Sequence, residues 1–392
     1  MKVAFVTMRY GRDVIGGAEA FCRIIATRMS AQWDIDVLTT DSIDHFTWEP
    51  TYETGRKKEN GVNVIRFAID EKKNLPHLGE LGQKLMAGKF RSEDQLDWIN
   101  TQGPISKGMF KYIEKNKDKY DCFFFWGYLF AHTYYGLQLV PHKSVLIPFI
   151  HDEAFFYFNV YDKIFNGATA MVFETPEEKE LLLKTRPKAT KKTEIIGTAI
   201  DIPENLDHIV LDDSLKVDDP YILYVGRIEP AKGVNDLVTF FLDYKKQHPG
   251  KLKLVLVGNR NNAIEESEDV IHLGPIYDDQ KFVVMNRAQV LINPSAFESF
   301  SLVIAEAWLA GTPTLVNAEC SVLEGQSKRA NAGLWYRSFA EFSAMLTILL
   351  ENKTLRDEMA ENGRKYIHAN YTWPIVEKKY NRILEKVTEK KS

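Results

Sequence analysis

Cysteine is scarce in this chain: three among 392 residues, Cys22, Cys122 and Cys320, with no CxxC or other metal-ligand spacing. An odd, unclustered set excludes a disulfide framework and a thiolate metal site. It points instead to reduced, buried thiols in a cytoplasmic protein. Long apolar runs are lacking too, since no segment reaches the roughly eighteen consecutive apolar residues that a membrane span needs. The start, MKVAFVTMRY, has neither the extended apolar region nor the small-residue cleavage site of a signal peptide. Peripheral attachment at the inner face of a membrane stays open. Basic runs are short and the formal net charge is -4, which argues against broad electrostatic binding to nucleic acid. The nine histidines show no metal-like clustering.

What is present is a globular composition, 45% hydrophobic and 27% charged, in a chain long enough for two domains. VAFVTM is an apolar run of strand length, followed by a glycine-bearing loop and the helical pattern AEAFCRIIATRMS. Further strands fit IDVLTT, NVIRFAI, DCFFFW, SVLIPFI and AMVFET. After the polar stretch 203–220 the alternation restarts with YILYVGRI, KLVLVG, VIHLG, QVLINPS and PTLVN. Buried strands alternating with helices imply parallel sheets covered on both faces. The fold class is therefore α/β, two Rossmann-like doubly wound domains. The expected boundaries are 1–203 and 204–373, with a C-terminal helix at about 374–392 packing back on the first domain. Residues 71–117 are charged and partly helical and interrupt the alternation. Either a binding insertion or a helical pair padding the sheet fits them.

Two motifs carry chemistry. GRIEPAKG (226–233) follows a strand and precedes a helix, where open α/β sheets gather ligands. Gly226 allows a sharp turn, and Arg227 and Lys232 set two cations beside helix N-terminal amides, an arrangement suited to a diphosphate, although an ordinary strand-to-helix turn with solvated charges fits as well. FESFSLVIAEAWLAG holds Glu298 and Glu306 in E-x7-E spacing. Glu298 precedes a helix that Gly311 stops, and Glu306 lies about one turn inside it. The leading amides at Leu302 and Val303 have no helical acceptor and can face an anion. Glu298 as a helix-capping residue and Glu306 as a salt-bridged surface residue are the structural alternatives, but Glu306 sits in a largely apolar turn, so its carboxylate requires a specific partner. His151 ends the apolar run VLIPFI and is followed by Asp152 and Glu153. That is the ligand end of a strand, although a partly buried structural histidine fits as well.

Together these features resemble the family 4 glycosyltransferases of the GT-B fold, whose two domains face each other across a cleft. The resemblance extends over the whole chain, through IGGAE, the IHD segment, LGPIYDD and NYTWPIVEKKY. It implies that Arg227 and Lys232 neutralise the diphosphate of a nucleotide-sugar, that Glu306 holds the ribose and that Glu298 holds the transferred sugar. It implies further that amides from Phe300 through Ser301 and Leu302 to Val303 bind sugar and phosphate oxygens. Gly258 and Ile276 would border the base, Gly16 and Gly17 would let the backbone approach the phosphate and acceptor, and His151 would face the donor sugar. The catalytic set so implied is His151, Arg227, Lys232 and Glu298. Two departures stand out: Ser301 where many relatives have glycine, and IIGTAID where an asparagine-glycine form is common.

The implied reaction moves a sugar, with retention, from a UDP-, GDP- or ADP-linked donor to a glycan or lipid-linked acceptor. Surface polysaccharide or glycoconjugate biosynthesis is the expected setting. No cofactor and no metal are expected. Asp34-Ile35-Asp36 matches the D-x-D metal pattern of the other glycosyltransferase fold, but it stands ahead of the second strand, far from the second-domain motifs. The aromatic runs at 123–136 and 155–161 are candidates for stacking on an acceptor; the first includes a buried strand, so core packing explains much of it, and the second is the better candidate because it continues from His151. A silent nucleotide-sugar-binding partner or sensor, a sugar-nucleotide epimerase and a phosphorylase share the fold and remain alternatives. Oligomeric state is not legible.

Overall fold

The computed structural model describes residues 1–389 except 15, 190–191, 261–263, 266 and 277–278. Ile15 of IGGAE and the Tyr277-Asp278 pair of LGPIYDD thus lie outside the described residues. The chain divides into two compact units, Met1–Thr198 with Pro374–Ser392, and Ala199–Trp373.

The first unit contains β1 (Lys2–Val6), α1 (Gly17–Met29), β2 (Asp34–Thr40), β3 (Gly55–Glu59), β4 (Val62–Phe67), α2 (Leu75–Met86), α3 (Ser92–Gln102) and α4 (Lys107–Asn116). It continues with β5 (Cys122–Trp126), α5 (Ala131–Leu139), β6 (Ser144–Ile147), α6 (Asp162–Gly167), β7 (Ala170–Phe173), α7 (Pro176–Thr185) and β8 (Thr193–Ile195). Its sheet runs β3-β4-β2-β1-β5-β6-β7-β8, parallel except for the β3–β4 pair. Every residue of β5, CFFFW, is buried, as a central strand covered on both faces requires. The edge strand β3, GRKKE, is by contrast almost wholly charged and exposed. Its turn to β4 is Asn60-Gly61, both at positive φ, the geometry that matches strand twist in a tight hairpin. Lysines on an edge strand also discourage pairing with another chain.

In the second unit β9 (Tyr221–Val225), α8 (Val234–Gln247), β10 (Lys253–Val257), β11 (Val270–Gly274), α9 (Gln280–Arg287) and β12 (Val290–Asn293) come first. They are followed by α10 (Leu302–Ala310), β13 (Thr314–Asn317), α11 (Ser321–Ala330), β14 (Gly333–Tyr336), α12 (Phe339–Glu351) and α13 (Lys353–Asn370). This sheet is wholly parallel in the order β11-β10-β9-β12-β13-β14, which is 3-2-1-4-5-6 when its strands are counted from β9. That order is the dinucleotide-fold order, and its switch point lies between β9 and β12. The last helix, α14 (Trp373–Thr388), belongs to the first unit. Its Tyr380 is fully buried near Trp33 and Phe124, and Arg382 and Lys386 both pair with Glu194 of β8.

Several sequence expectations need correcting. The strands β3, β8 and β14 were not anticipated. Asp34-Ile35-Asp36 does not precede β2 but opens it. There Asp36 is buried and accepts from Tyr120 Oη at 2.7 Å and Asn63 Nδ2 at 3.1 Å, while Asp34 pairs with Lys2 at 2.8 Å. The segment 71–117 forms α2, α3 and α4 and sends Leu81, Trp98, Ile99, Met109 and Ile113 into the core. The run at 123–136, by contrast, is mostly core as expected from its buried strand, with Phe123, Phe124, Phe125, Trp126, Tyr128 and Tyr134 all buried.

At the end of β7 the core holds two carboxyl groups. Glu174 is fully buried, and neither of its carboxyl oxygens has a hydrogen-bond partner among the described residues. Burial, with the nearby Glu178 charge, pushes it well above the ordinary 4.5. Burial likewise raises Glu178 to about 8, although backbone N–H groups donate to it. An unfolded chain releases these protons near the ordinary value, whereas the folded unit keeps them to higher pH. The stability they allow is therefore full below about pH 4.5 and is lost as pH rises through about 8. Melting curves between about pH 5 and pH 8.5 should show a falling midpoint, with Glu174→Gln raising the midpoint at the alkaline end and flattening the slope. Superimposable slopes for the two proteins would remove Glu174 as their source.

Candidate active site

Right-handed crossovers send the connections leaving β9 and β12 to opposite sides of the second-unit sheet, which opens a crevice at their carboxyl ends. Both sequence motifs fall there. After β9 the chain turns through Gly226, Arg227 and Glu229, makes one 3-10 turn at Pro230–Lys232, and enters α8 through Gly233. Gly233 sits at φ 70, and a Cβ on it would lie 2.6 Å from the Pro294 carbonyl oxygen of the loop after β12. Only glycine lets these two loops approach so closely. Gly258, after β10, is similar: a Cβ there would stand 1.8 Å from the Gly226 carbonyl.

Charged side chains meet in pairs. Lys232 Nζ lies 2.8 Å from Glu298 Oε1, joining the two loops across the switch point. Arg227 pairs with Glu229 at 3.1 Å, two residues along an extended segment, where alternate side chains share a face. Glu306, inside α10, accepts from Lys281 Nζ of α9 at 2.8 Å. Lys281 is the partner that the apolar surroundings of Glu306 require, and neither it nor Glu229 was anticipated. The signal for Glu229 was the i, i+2 spacing, whereas Lys281 had none because α9 meets α10 only in the folded unit.

The start of α10 is built for an anion. Ser301 adopts the left-handed conformation at φ 65, which accounts for the glycine found there in the resembled family. Its hydroxyl accepts from Asn293 Nδ2 at 3.0 Å and makes no helix cap. The leading amides from Leu302 onward are therefore not capped by it and keep the positive end of the helix dipole available. Phe300 is buried with its ring 5.0 Å from Tyr371, and its carbonyl accepts from Gln326. Leu302 and Val303 are half-buried. Ile276 is half-buried too, and with Leu273, Pro275, Asp212, Ser214 and Gln280 it lines a cavity of about 320 Å³.

In the first unit the expected residues lie at loops leaving the carboxyl edge of the sheet. Gly16 ends the loop after β1 and Gly17 opens α1. A Cβ on Gly16 would meet Glu19 Oε2 at 2.2 Å, whereas among the described residues nothing stands within 4 Å of one on Gly17. Glu19 is buried in an ion pair with Arg9, whose Nη1 donates to the Ile43 carbonyl at 2.6 Å. This buried pair was missed. His151 lies beyond Ile147, the last residue of β6, and its Nδ1 is 3.7 Å from Glu153 Oε1. Glu153 in turn accepts from the buried Tyr128 hydroxyl at 3.4 Å. The aromatics at 155–161 are mostly structural: Phe156, Phe158 and Tyr161 are buried, and Phe155 stacks on Trp98 at 4.3 Å. Tyr157 is the exposed ring, with its hydroxyl 2.6 Å from Asp152.

Residues 211–366, most of the second unit, match the family model described as glycosyl transferases group 1. An uncharacterized glycosyltransferase of Methanocaldococcus jannaschii is 26% identical over 96% of each chain. A D-inositol 3-phosphate glycosyltransferase of Nocardia farcinica is 27% identical over 54% of this chain and 51% of its own. Among solved structures, sucrose-phosphate synthase from Thermosynechococcus elongatus covers 98% of both chains with a TM-score of 0.71 and 18% identity. The Anabaena HepE protein in complex with UDP and glucose aligns over 98% of this chain and 99% of its own, with a TM-score of 0.66 and 14% identity. The fold is that of the GT-B glycosyltransferases, and the relatives support an enzyme that transfers a glycosyl group.

The half-buried Lys281–Glu306 pair makes a modest contribution, of the size expected for partly solvated ion pairs. Lys281→Met should lower the stability of the second unit by about 1 kcal/mol, read from its urea midpoint. An unchanged midpoint would show that the pair adds nothing.

Proposed function

We propose that the protein is a retaining, metal-independent glycosyltransferase. In this reading the second unit takes a nucleotide-diphosphate sugar and the first unit takes a glycan or lipid-linked hydroxyl acceptor. The observation that carries this reading is the Lys232–Glu298 contact of 2.8 Å at the switch point, beside Arg227 and the uncapped start of α10. Two cations and a helix N-terminus meet there with a carboxylate able to accept from neutral hydroxyls. UDP and glucose in the Anabaena structure support a UDP-linked donor.

In this reading Arg227 and Lys232 stabilise the negative charge that grows on the diphosphate as the glycosyl bond breaks. Their present carboxylate partners, Glu229 and Glu298, hold the two cations in place until the donor arrives. Glu298 then accepts from sugar hydroxyls and Glu306 from the ribose, so both glutamates bind and neither attacks. The acceptor hydroxyl attacks from the side of the leaving group and the departing phosphate takes its proton. His151 borders the sugar, and Glu153 steadies its ring. Peripheral membrane association and a role in surface polysaccharide assembly belong to the same proposal.

A thermal-shift panel of UDP, GDP, ADP and their sugars identifies the donor, since a bound ligand raises the midpoint. With that donor, Arg227→Ala combined with Lys232→Ala should lower kcat by roughly 100-fold or more. Glu306→Ala should chiefly raise the donor KM, by about tenfold for a lost charged hydrogen bond. His151→Ala should slow transfer with donor affinity kept. Full turnover in the double variant would sink the charge-stabilisation account. A donor that binds without any release of nucleoside diphosphate would leave a silent binder.

A further inference from the structure

The turn that carries His151 is held from beneath by a residue outside every motif. After β6 the chain passes through Phe149, which sits at φ 54, a conformation costly for a side chain with a Cβ. Something must hold it there. The fully buried Glu178, in the first turn of α7, accepts from the Ile150 amide at 2.7 Å and from the Glu174 amide at 2.7 Å. One carboxyl group thus ties the turn before His151 to the end of β7 and the start of α7. Removing it would leave these buried N–H groups without an acceptor and the Phe149 turn without its anchor.

We propose that Glu178 is a positioning residue for His151: it fixes the Phe149–Ile150 turn and so sets where the imidazole stands relative to the reacting sugar. The inference rests on the reading above in which His151 borders that sugar. Two separate layers then support the histidine. Glu153, itself contacted by the Tyr128 hydroxyl, acts on the ring, and Glu178 acts on the backbone.

Glu178→Gln keeps size and shape but turns an amide N–H₂ toward backbone donors. Glu178→Asp keeps a carboxyl group in the first turn of α7 with a shorter reach. The full-length chain labelled at histidine Cε1 is compared by NMR with both variants, with His151 assigned through His151→Gln. The expected result is a shifted or split His151 resonance in Glu178→Gln, a smaller change in Glu178→Asp, and unmoved signals from the histidines of the second unit. A variant with a lowered melting midpoint and an unmoved His151 signal would overturn the proposal, leaving Glu178 as a stabilising residue only.

In the kinetic arm, nucleoside diphosphate release from UDP-glucose should show kcat lowered by about tenfold in Glu178→Gln, with KM within about twofold. A kcat equal to wild type would also overturn it. A wild-type chain that turns over neither UDP-glucose nor any other donor in the panel refutes the transferase reading. The NMR comparison then decides on Glu178 alone.

Discussion

The second unit depends on one topological constraint. In a wholly parallel sheet every strand ends at the same edge, and where the strand order reverses, consecutive connections must leave on opposite sides. The order 3-2-1-4-5-6 puts that reversal between β9 and β12. The loop after each is therefore exposed at one crevice, side by side, and their backbones come close enough that Gly233 admits no Cβ beside Pro294. The Lys232–Glu298 pair, the left-handed Ser301 and the uncapped start of α10 all follow from that placement.

Charge at the crevice is stored in neutral pairs. Lys232 with Glu298, Arg227 with Glu229 and Lys281 with Glu306 each match a cation to a carboxylate within hydrogen-bonding range. Such half-buried pairs add little stability. What they supply is preorganisation, since a charge already held in place needs no reordering when a charged ligand arrives. In the first unit the comparable device is buried and costlier. Arg9 with Glu19 braces the loop after β1, and Glu178 braces the turn after β6, while Glu174, unpaired among the described residues, raises the cost at alkaline pH. Both braces act on loops at the carboxyl edge of the sheet, the edge that carries Gly16, Gly17 and His151.

Much of this was legible beforehand. Continuous apolar runs such as CFFFW and YILYV marked the central strands, because strands covered on both faces have no polar side to show. Glycine and proline punctuation set GRIEPAKG at a strand-to-helix turn and Glu298 ahead of α10. The charged edge strand GRKKE was missed because its stability comes from pairing with β4 and from the Asn60-Gly61 turn, not from apolar alternation. The rings at 155–161 read as an exposed wall. Phe155 and Phe158 are spent on packing against Trp98 of α3, and Phe156 and Tyr161 against Tyr128, neighbours that the sequence pattern did not connect to them.

By itself the sequence determined the α/β alternation in both halves and the loops on which Arg227, Lys232, Glu298 and His151 stand. It also placed Glu306 in an apolar turn that demands a partner. These are local properties, set by hydrophobic period, glycine and capping within a few residues. Only the tertiary structure decided who meets whom. Lys232 reaches Glu298 across 66 residues, Lys281 reaches Glu306 across 25, and Glu178 reaches the Ile150 amide across 28. Contacts of that kind are fixed by strand order and helix packing, which bring together side chains whose spacing along the chain carries no period.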